Sequence, residues 1–468
     1  MMMIEMINDK LKEECGVFGI WTKDRKASYD VYDGLYSLQH RGQESAGIAS
    51  MDKGSLTIRK KMGLVATAIT MEDLKDLKGN IAVGHVRYST KGDSSILNAQ
   101  PLTAKSKFGA LAVAHNGTLI NTDVIRSLIE DSGAIFQTDT DSEVIVNLIA
   151  RGIHKGIENA VLDAIKTVKG SFALVISFGN KLIGIRDAFG IRPLVIGTRG
   201  EDVILSSESC AIDTIGGTLL RDVKAGEMVV IEDGAVKSYI YSEKTKEQTC
   251  SFEYIYFARP DSTIDGINVH SLRVRTGEML YKEFPVEADV VIGVPDSGLA
   301  AAIGYSRAAG IPFDIGFSKN KYVGRSFIAP TQEAREKVVS LKLNAQKDVV
   351  KGKRVVLIDD SIVRGTTSKY LVDLLYKAGA TEVHFRVSSP KVMFPCYFGI
   401  DTPYRKHLIA AVMTKDEIRD YIGCTSLEYM SKDGLFRALG RDTFCTGCFT
   451  GEYPLGAPNE FLEDIENV

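Results

Sequence analysis

The sequence predicts two domains of different fold class, an α+β domain with antiparallel sheets followed by an α/β domain with a parallel sheet. In the first half, predicted strands at residues 171–177 and 181–186 are separated only by a brief turn, which indicates antiparallel pairing. In the second half each predicted strand is followed by a helix, as in βαβ units. Residues 242–249 are uniformly polar and mark the boundary. We therefore assign residues 15–245 to the first domain and residues 246–468 to the second.

Short runs of β-branched and aromatic residues alternate with helical stretches throughout the first domain. These runs predict strands at residues 16–21, 81–88, 111–115, 172–178 and 228–231. Because several strands follow one another closely, with helices between the groups, we expect a sandwich of antiparallel sheets covered by helices.

In the second domain the predicted elements follow a different order, in which each strand leads into a helix. An apolar strand at residues 290–294 precedes a predicted helix at 298–309, and a strand at 355–358 precedes a helix at 366–377. A further strand follows at 382–387. The run Val-Val-Leu-Ile at 355–358 is too short for a helix and rich in β-branched residues, so we expect a strand buried on both faces of a parallel sheet.

Two adjacent acids, Asp359 and Asp360, stand at the carboxyl end of that strand. Open α/β sheets bind ligands at this edge, and the polar turn and helix start that follow can present N–H groups to an anion. Adjacent acids after an apolar strand are costly unless they are used. The segment therefore predicts a site for a sugar phosphate with Mg²⁺, rather than an acidic surface turn. The remaining residues of this site are Ser361, Arg364, Gly365, Thr366 and Thr367.

A second polar turn, Pro-Asp-Ser-Gly at residues 295–298, follows the preceding strand. It can present backbone amides and the Ser297 hydroxyl to pyrophosphate or metal, although this composition is also common in ordinary turns. Between the two turns lies a glycine-containing loop with Lys319, Lys321 and Arg325. Beside a phosphate site, these cations can close over a polyanionic substrate and exclude water. The alternative is a basic loop that is simply solvated.

The composition is that of an ordinary globular protein. Apolar residues make up 44% of the chain and charged residues 25%, and the formal net charge of -3 argues against bulk electrostatic binding to nucleic acid. No apolar run is long enough to span a membrane, and the acidic residues 1–14 do not form a secretory signal. Seven cysteines, an odd number, do not indicate a disulfide scaffold, so we expect a reducing, cytoplasmic setting.

Cys15 stands directly before a glycine-spaced strand near the start of the chain. Most cysteines of this kind pack in a core, but three further motifs follow this one. They are residues 40–47 (His-Arg-Gly-Gln-Glu-Ser-Ala-Gly), 84–90 (Gly-His-Val-Arg-Tyr-Ser-Thr) and 114–118 (Ala-His-Asn-Gly-Thr). Together the four segments resemble the class II glutamine amidotransferase domain, an N-terminal nucleophile (Ntn) hydrolase with an αββα sandwich.

The resemblance implies that residues 1–14 are a propeptide and that Cys15 becomes the N-terminal nucleophile of a glutaminase. The free α-amine then accepts the thiol proton, because an α-amino group titrates near neutrality. The side-chain N–H of Asn116 and the backbone N–H of Gly117 are implied to form the oxyanion hole.

Two glutamine-binding residues are also implied. Arg87 binds the α-carboxylate of glutamine and Asp141 its α-ammonium group. Asp141 shares a run with Asp139, where either acid can instead cap the helix that follows. His85 and His115 are interpreted as structural, because the α-amine already supplies the base.

The segment at residues 355–368 resembles the phosphoribosyl diphosphate (PRPP) signature of type I phosphoribosyltransferases. A glutaminase domain followed by such a domain is similar to the arrangement of the glutamine PRPP amidotransferase family, over nearly the whole chain. This resemblance implies glutamine-dependent amination of PRPP to 5-phosphoribosylamine, the committed step of purine synthesis, with ammonia passed internally and pyrophosphate released. Ser297, Asp359 and Asp360 match the family's Mg²⁺ contacts. A homotetramer inhibited by purine nucleotides is a further expectation from the family.

Cys445 and Cys448 form a C-x-x-C pair, whereas Cys250 and Cys396 lie far away in the sequence. One branch of the family carries a [4Fe-4S] cluster on four such cysteines, which implies these four as its ligands. A structural zinc site can use the same thiolates, and the sequence leaves Cys424 open as a ligand in place of Cys396. The cluster is implied to be structural or oxygen-sensing, since no step of the reaction moves electrons.

Two other functions use parts of the same pattern. A glucosamine-phosphate or asparagine synthetase has the same glutaminase but a different acceptor domain, so the segment at residues 355–368 argues against it. A non-catalytic PRPP sensor does not need Cys15, Arg87 and Asn116 together. Glutamine-dependent release of pyrophosphate from PRPP distinguishes the three alternatives.

Overall fold

The computed structural model describes residues 15–88, 94–243, 246–320, 343–402 and 404–457. The predicted propeptide, Lys321 and Arg325 lie outside the described residues. No helix in the described ranges has both the length and the apolar character needed to cross a lipid bilayer.

The first domain is built on two antiparallel sheets. Within the described residues its strands are β1 (Gly16–Trp21), β2 (Ser45–Asp52), β3 (Ser55–Met62), β4 (Ile81–Arg87), β5 (Leu102–Ser106), β6 (Gly109–Leu119), β7 (Gly170–Phe178), β8 (Lys181–Arg186), β9 (Val195–Arg199), β10 (Asp202–Ser206), β11 (Thr218–Asp222), β12 (Glu227–Glu232) and β13 (Ala235–Ile240). One sheet has the order β11-β9-β10-β1-β4-β2-β3 and the other β13-β12-β8-β7-β6-β5. The predicted antiparallel pairing of β7 with β8 is confirmed.

Helices cover the outer faces of both sheets. They are α1 (Ala27–Ser37), α2 (Val65–Ala68), α3 (Met71–Asp76), α4 (Thr122–Glu130), α5 (Ser142–Gly152), the 3₁₀ turn Ile153–Lys155, α6 (Ile157–Thr167) and α7 (Ser209–Thr214). Ile149 and Val161 of α5 and α6 pack in one outer core, and Leu35 of α1 packs in the other. Val17 and Val175 belong to the core between the sheets. The predicted αββα sandwich is therefore confirmed.

In the part of the chain that is described, the second domain contains a parallel sheet. Its strands lie in the order β17 (Val290–Gly293), β20 (Arg354–Asp359), β21 (Glu382–Val387) and β22 (Ser426–Tyr429). The strands of the domain as a whole are β14 (Thr249–Cys250), β15 (Thr263–Ile264), β16 (Ile267–Asn268), β17 (Val290–Gly293), β18 (Phe317–Lys319), β19 (Leu343–Ala345), β20 (Arg354–Asp359), β21 (Glu382–Val387), β22 (Ser426–Tyr429) and β23 (Phe444–Cys445). Its helices are a π-helical turn at Glu253–Phe257, α8 (Val269–Glu283), α9 (Leu299–Ala309), α10 (Lys347–Val350), α11 (Thr366–Lys377), the 3₁₀ turn Arg405–His407, α12 (Ile409–Val412), α13 (Lys415–Ile422), α14 (Lys432–Leu439) and α15 (Gly447–Thr450).

Strand β20 is buried on both faces, as predicted. Val355 and Leu357 belong to one core, with residues of α11 and α13, whereas Val356 and Ile358 belong to the other, with residues of α8 and α9. All four side chains are fully buried. Because successive residues of a strand point to opposite faces, this burial holds β20 in the middle of the domain and brings Asp359 to the carboxyl edge of the sheet.

Candidate active sites

Cys15 lies directly before β1, which pairs with β4. Its thiol donates a hydrogen bond to the carbonyl oxygen of Tyr88, with Sγ 3.5 Å from that oxygen. Burial raises the pKa of this thiol to about 11; the Tyr88 contact and Arg87 oppose the increase, while Asp141 and Glu44 add to it. Cys15, the predicted nucleophile, therefore lies close to Arg87 and Asp141, the predicted glutamine-binding residues. Glu44, from the motif at residues 40–47, lies in the same place.

Asn116 and Gly117 lie side by side on β6, in the facing sheet. Gly117 has φ of 140°, and a Cβ atom there would lie 2.1 Å from the carbonyl oxygen of Ser171, so only glycine fits. The Asn116 side chain is buried, and its Nδ2 has no hydrogen-bond partner among the described residues. Because a buried donor without an acceptor is costly, this amide is suited to a substrate oxygen.

Arg87 and Asp141 are both buried. Arg87 Nη1 lies 3.8 Å from a carboxylate oxygen of Glu44. The carboxylate of Asp141 accepts a hydrogen bond from the backbone N–H of Leu119, with 2.8 Å between nitrogen and oxygen. Asp141 occupies the N-cap position of α5 but its side chain does not cap the helix. The capping role considered from the sequence is thus not what Asp141 does; the side chain instead holds the end of β6.

His85 links the two sheets, His115 links β6 to α5, and both are poor bases at neutral pH. His85 Nε2 lies 3.0 Å from the carbonyl oxygen of His115, and His115 Nδ1 lies 2.8 Å from the hydroxyl of Ser142. Burial lowers the pKa of His85 to about 3 and also lowers the pKa of His115. Both side chains therefore stay neutral, with His85 fixing β4 to β6 and His115 fixing β6 to α5, in keeping with a structural interpretation.

Arg41, another member of the quoted motif, is the centre of a buried ion network that sequence reasoning missed. Its guanidinium contacts carboxylate oxygens of Glu208 and Glu253 at 2.6 Å each, and all three side chains are fully buried. Its Nε donates to the carbonyl oxygen of Cys15 at 3.2 Å. Burial alone would raise the pKa of Glu208, but His40 and Arg41 hold it well below its usual range. Glu253 belongs to the second domain, so the network joins the two domains beside the nucleophile.

Asp359 and Asp360 lie at the carboxyl edge of the parallel sheet and are both buried. Asp359 accepts a hydrogen bond from the backbone N–H of Asp360 at 2.9 Å, and Asp360 accepts one from the hydroxyl of Ser361 at 2.5 Å. Burial lowers the pKa of the nearby Arg273 to about 10, an effect that Asp360 partly opposes. Arg273 therefore remains a cation at neutral pH next to the carboxylate pair.

Ser297 and Lys319 belong to the same edge of the sheet. The hydroxyl of Ser297 lies 3.5 Å from a carboxylate oxygen of Asp359. Lys319, at the end of β18, pairs with the exposed carboxylate of Asp296, with 2.8 Å between the charged atoms. In the described ranges, no group of three or more His, Cys, Asp or Glu side chains is placed to hold a metal ion. Two oxygens at this distance still suit Mg²⁺, which takes one or two protein ligands and completes its shell with water and substrate phosphates.

The turn after the acids leads into α11 as predicted. Gly365 is the N-cap residue with φ of 82°, and Thr366 and Thr367 form the first turn of the helix. Ser361 is buried, whereas Arg364, Thr366 and Thr367 are partly exposed. The N-terminus of α11 therefore opens at the edge that holds the acids, an arrangement that can bind an anion.

A cavity of about 280 Å³ lies between the two domains. It is lined by His40 and Arg41 from the first domain, and by Arg273, Ser297 and Lys319 from the second. The cations along its wall can attract a polyanion. The cavity therefore extends from Arg41, which donates to the Cys15 carbonyl, to the turn with Ser297, which faces Asp359.

The four predicted cluster ligands converge in space although they come from distant segments. Cys250 on β14 is opposite Cys445 on β23 in a parallel pair of strands. Burial raises the pKa of Cys448 well above its ordinary value, and the neighbouring Cys396 and Cys445 add to this increase. Cys424 lies elsewhere, in the core beside β21 and β22, where its thiol approaches the carbonyl oxygen of Arg419 at 3.9 Å. All of these cysteines are free thiols. Cys250, Cys396, Cys445 and Cys448 therefore lie in one region of the fold, apart from Cys424, although the described residues show no group of side chains arranged to hold a metal ion.

Known proteins match both halves of the chain. The glutamine amidotransferase domain family matches residues 85–214, and the phosphoribosyl transferase domain family matches residues 278–391. The amidophosphoribosyltransferase of Bacillus subtilis (strain 168) is 48% identical over 451 residues, which cover 95% of this chain and 94% of the relative. That of Methanocaldococcus jannaschii is 46% identical over 458 residues, covering 94% and 97%.

Solved structures extend the similarity to the whole fold. The Bacillus subtilis glutamine PRPP amidotransferase complexed with ADP and GMP superposes with a TM-score of 0.89 at 47% identity, covering 94% of this chain and 97% of that chain. A structure described as the allosteric regulatory enzyme of purine biosynthesis gives a TM-score of 0.90 at 48% identity, covering 94% and 96%. These relatives argue against both alternatives, a glucosamine-phosphate or asparagine synthetase and a non-catalytic PRPP sensor. The chain belongs to the amidophosphoribosyltransferase family and carries out the glutamine-dependent amination of PRPP in purine biosynthesis.

Proposed function

We propose that the two sites divide the reaction, with Cys15 releasing ammonia from glutamine and the edge at Asp359 and Asp360 presenting PRPP to that ammonia. The buried Asn116 amide carries this proposal, because its Nδ2 has no partner among the described residues and lies beside Gly117. A glutaminase needs such a donor for the oxyanion of the tetrahedral intermediate. A protein that only senses PRPP has no use for it.

In the first site, Sγ of Cys15 attacks the side-chain amide carbon of glutamine. The carbonyl oxygen takes up negative charge and is stabilised by Asn116 Nδ2 and the Gly117 N–H. Collapse of the intermediate forms a glutamyl thioester and releases ammonia, and water then hydrolyses the thioester to glutamate and the free thiol. Arg87 binds the α-carboxylate and Asp141 the α-ammonium group throughout.

Removal of residues 1–14 supplies the base for this chemistry. While the nitrogen of Cys15 is part of a peptide bond, burial raises the pKa of the thiol to about 11, so the thiolate is scarce at neutral pH. A freed α-amine has an ordinary pKa of about 8 and can accept the thiol proton. Intact mass spectrometry combined with a glutaminase assay tests this step. Full activity in a chain that retains residues 1–14 contradicts it.

In the second site, Asp359 and Asp360 bind the ribose hydroxyls, and the N–H groups of residues 361–367 bind the 5′-phosphate. Ser297, Asp359 and Asp360 are the proposed protein ligands of Mg²⁺, which when bound would neutralise charge on the pyrophosphate. Lys319 is proposed to neutralise the pyrophosphate, and the expected closure of Lys321 and Arg325 over it rests on the sequence alone, because both lie outside the described residues. We propose that ammonia reaches C1 of PRPP through the cavity between the domains, since free ammonia in neutral water is mostly protonated and not nucleophilic.

Substitution of the nucleophile tests the division of labour. We expect Cys15→Ala to lower glutamine-dependent release of pyrophosphate by at least about 10⁴-fold, the usual cost of removing a covalent nucleophile. Ammonia-dependent release from PRPP should remain close to that of the unsubstituted enzyme, because the second site is untouched. If Cys15→Ala loses both activities equally, the two-site proposal is wrong.

We propose that Cys250, Cys396, Cys445 and Cys448 bind a [4Fe-4S] cluster with a structural or oxygen-sensing role, because the four thiols converge and the reaction moves no electrons. Iron, sulfide and zinc analysis of anaerobically purified enzyme tests this. Cluster-level iron that is lost in Cys396→Ser but kept in Cys424→Ser supports the ligand set. Stoichiometric zinc in place of iron contradicts the cluster.

Purine nucleotides are the proposed regulators. The related Bacillus subtilis structure is a complex with ADP and GMP, and we propose that purine nucleotides inhibit this chain at a site that overlaps the PRPP cradle. Such nucleotides should raise the apparent KM for PRPP. We also propose a cytoplasmic homotetramer of the 51.2 kDa chain, which light scattering after gel filtration measures directly.

A further inference from the structure

We infer that residues 396–400 of the second domain, here called the cysteine loop, position the oxyanion hole of the glutaminase. The inference rests on the role proposed above for Asn116 and Gly117. It assigns a function in glutamine hydrolysis to a segment of the other domain, in which the sequence indicated a role for Cys396 alone, as a cluster ligand.

Gly399 of the cysteine loop is in close contact with Gly117. A Cβ atom added to Gly399 would lie 3.2 Å from Gly117 Cα and 3.0 Å from Arg192 Nη2. Gly399 has φ of 108°, a conformation that other residues rarely adopt. Gly117 has even less space towards Ser171, where an added Cβ atom would lie 2.1 Å from the carbonyl oxygen. The backbone that carries one of the two oxyanion donors is therefore confined by the cysteine loop as well as by its own sheet.

The carbonyl oxygen of Phe398 anchors the loop to the same place. It accepts hydrogen bonds from the hydroxyl of Ser171 at 2.7 Å and from Arg192 Nε at 2.8 Å, and Arg192 Nη2 also donates to it. Ser171 pairs with Thr118 in the β6–β7 ladder, so this anchor acts on the residue that follows Gly117. Ser171, Arg192 and Phe398 are all buried, and hydrogen bonds from a charged donor in such a setting are strong.

The same contacts continue to the nucleophile. Arg192 Nη1 lies 3.5 Å from a carboxylate oxygen of Glu253, which pairs with Arg41 at 2.6 Å. Arg41 in turn donates to the carbonyl oxygen of Cys15. One buried set of hydrogen bonds and ion pairs thus runs from the cysteine loop to both the oxyanion hole and the backbone of the nucleophile.

This arrangement matters because an oxyanion donor stabilises charge that exists only in the transition state. A displacement of such a donor by about 1 Å can cost on the order of 10²-fold in rate. If the loop positions Gly117, loosening it lowers kcat for glutamine and leaves the glutamine KM nearly unchanged. If the loop serves only to join the domains, loosening it lowers the ammonia-dependent activity or the stability to the same degree.

Two substitutions test the inference independently. Gly399→Ala pushes a methyl group towards Gly117 and Arg192, and Ser171→Ala removes one donor from the Phe398 carbonyl without adding bulk. We expect kcat for glutamine to fall by about 10-fold or more in Gly399→Ala and by a smaller factor in Ser171→Ala. KM for glutamine, ammonia-dependent activity and the rate of Cys15 alkylation by iodoacetamide should stay within about twofold, because none of them uses the oxyanion hole.

Gly133→Ala is the matched control. Gly133 also has a positive φ, of 87°, but a Cβ atom there meets nothing within 4 Å. It carries the same kind of backbone strain without touching the site, and its glutamine kcat should match that of the unsubstituted enzyme.

Asn116→Ala separates the two ideas under test. If Asn116→Ala itself leaves the glutamine kcat unchanged, the proposed oxyanion hole is wrong. If Asn116→Ala lowers kcat but Gly399→Ala and Ser171→Ala do not, the hole stands and the role of the cysteine loop is wrong. A parallel loss of glutamine-dependent and ammonia-dependent activity in a soluble Ser171→Ala variant also overturns the inference.

Discussion

The two sites of this chain are built in opposite ways. Most of the proposed PRPP site, namely Asp359, Asp360 and the start of α11, comes from one continuous segment in which a buried strand leads through a turn into a helix, and among the described residues only Ser297 and Lys319 are added from other segments. The proposed glutaminase site takes Cys15 from the residue before β1 and Asn116 from β6 in the facing sheet, and a buried carboxylate of the second domain pairs with Arg41, which donates to the Cys15 carbonyl. A continuous site depends mainly on its own strand and helix, whereas an assembled site depends on every interface that brings its parts together.

The largest expected effect comes from the continuous site. Asp360→Asn removes a charge beside the ribose, and we expect glutamine-dependent and ammonia-dependent activities to fall together, by about 10³-fold, since both use the same PRPP site. Pyrophosphate release measures both. Asp348→Asn, on the exposed side of α10, should change neither. A selective loss of the glutamine reaction would mean that the acid serves the other site.

The interface that supports the assembled site is the next target. Glu253→Ala takes one carboxylate from the fully buried pairs with Arg41 and Arg192, and we expect a loss of about 3 kcal/mol in the free energy of unfolding. Urea denaturation measures it. Lys23→Ala, which breaks the exposed pair with Glu201, is the control and should leave the midpoint unchanged. Equal midpoints for both variants would show that the buried network does not stabilise the domain contact.

Removal of one oxyanion donor should affect only the assembled site. For Asn116→Ala we expect kcat with glutamine to fall by about 10²-fold, because the buried amide stabilises the transition state and not the bound substrate. The glutamine KM and the ammonia-dependent rate should change little. Steady-state kinetics with each nitrogen donor separates these quantities, and a rise in KM at constant kcat would assign Asn116 to substrate binding instead.

The last expected effect concerns pH and leaves stability at neutral pH unchanged. The buried His85 has its pKa lowered to about 3, whereas a histidine in the unfolded chain has a pKa of about 6.5. Between these values the unfolded state binds a proton that the folded state excludes, so the free energy of unfolding falls as the pH decreases from about 6.5 towards 3. His85→Gln should flatten this dependence in urea denaturation series. His154→Gln, at an exposed site, should keep the original slope.

Local signals in the sequence predicted the PRPP region closely. The helix at residues 366–377 and the strand at 382–387 have the predicted bounds, and the strand at 355–358 extends by one residue at each end. Each of these elements is defined by an apolar run and a turn only a few residues away, so neighbouring side chains carry the information. In the αββα layers of the first domain only some strand pairs, such as β7 with β8, are close neighbours in the chain, whereas others, such as β1 with β10, join distant segments.

The first domain was predicted less completely. The predicted strand at residues 111–115 is part of the longer β6, and the motif at residues 40–47 leads into β2, an element that the pattern did not indicate. The network of Arg41, Glu208 and Glu253 had no local signal, since charged residues are normally exposed and Arg41 and Glu253 are 212 residues apart. The contact of Gly399 with Gly117 likewise had no local signal, because no sequence pattern near either glycine indicates that the two lie close together.

By itself, the sequence determined the order of the two domains and the strand that carries the acidic pair. It also indicated the residues around which each proposed site is built, which are Cys15 in one and Asp359 with Asp360 in the other. Hydrophobic periodicity, turn residues and capping act over a few positions, so these features are readable in one dimension. Only the tertiary structure decided that the buried Asn116 amide has no partner among the described residues, that Cys396 rather than Cys424 lies with the other three thiols, and that a loop of one domain contacts β6 of the other. These contacts join residues far apart in the chain, and packing between domains, not local preference, brings them together.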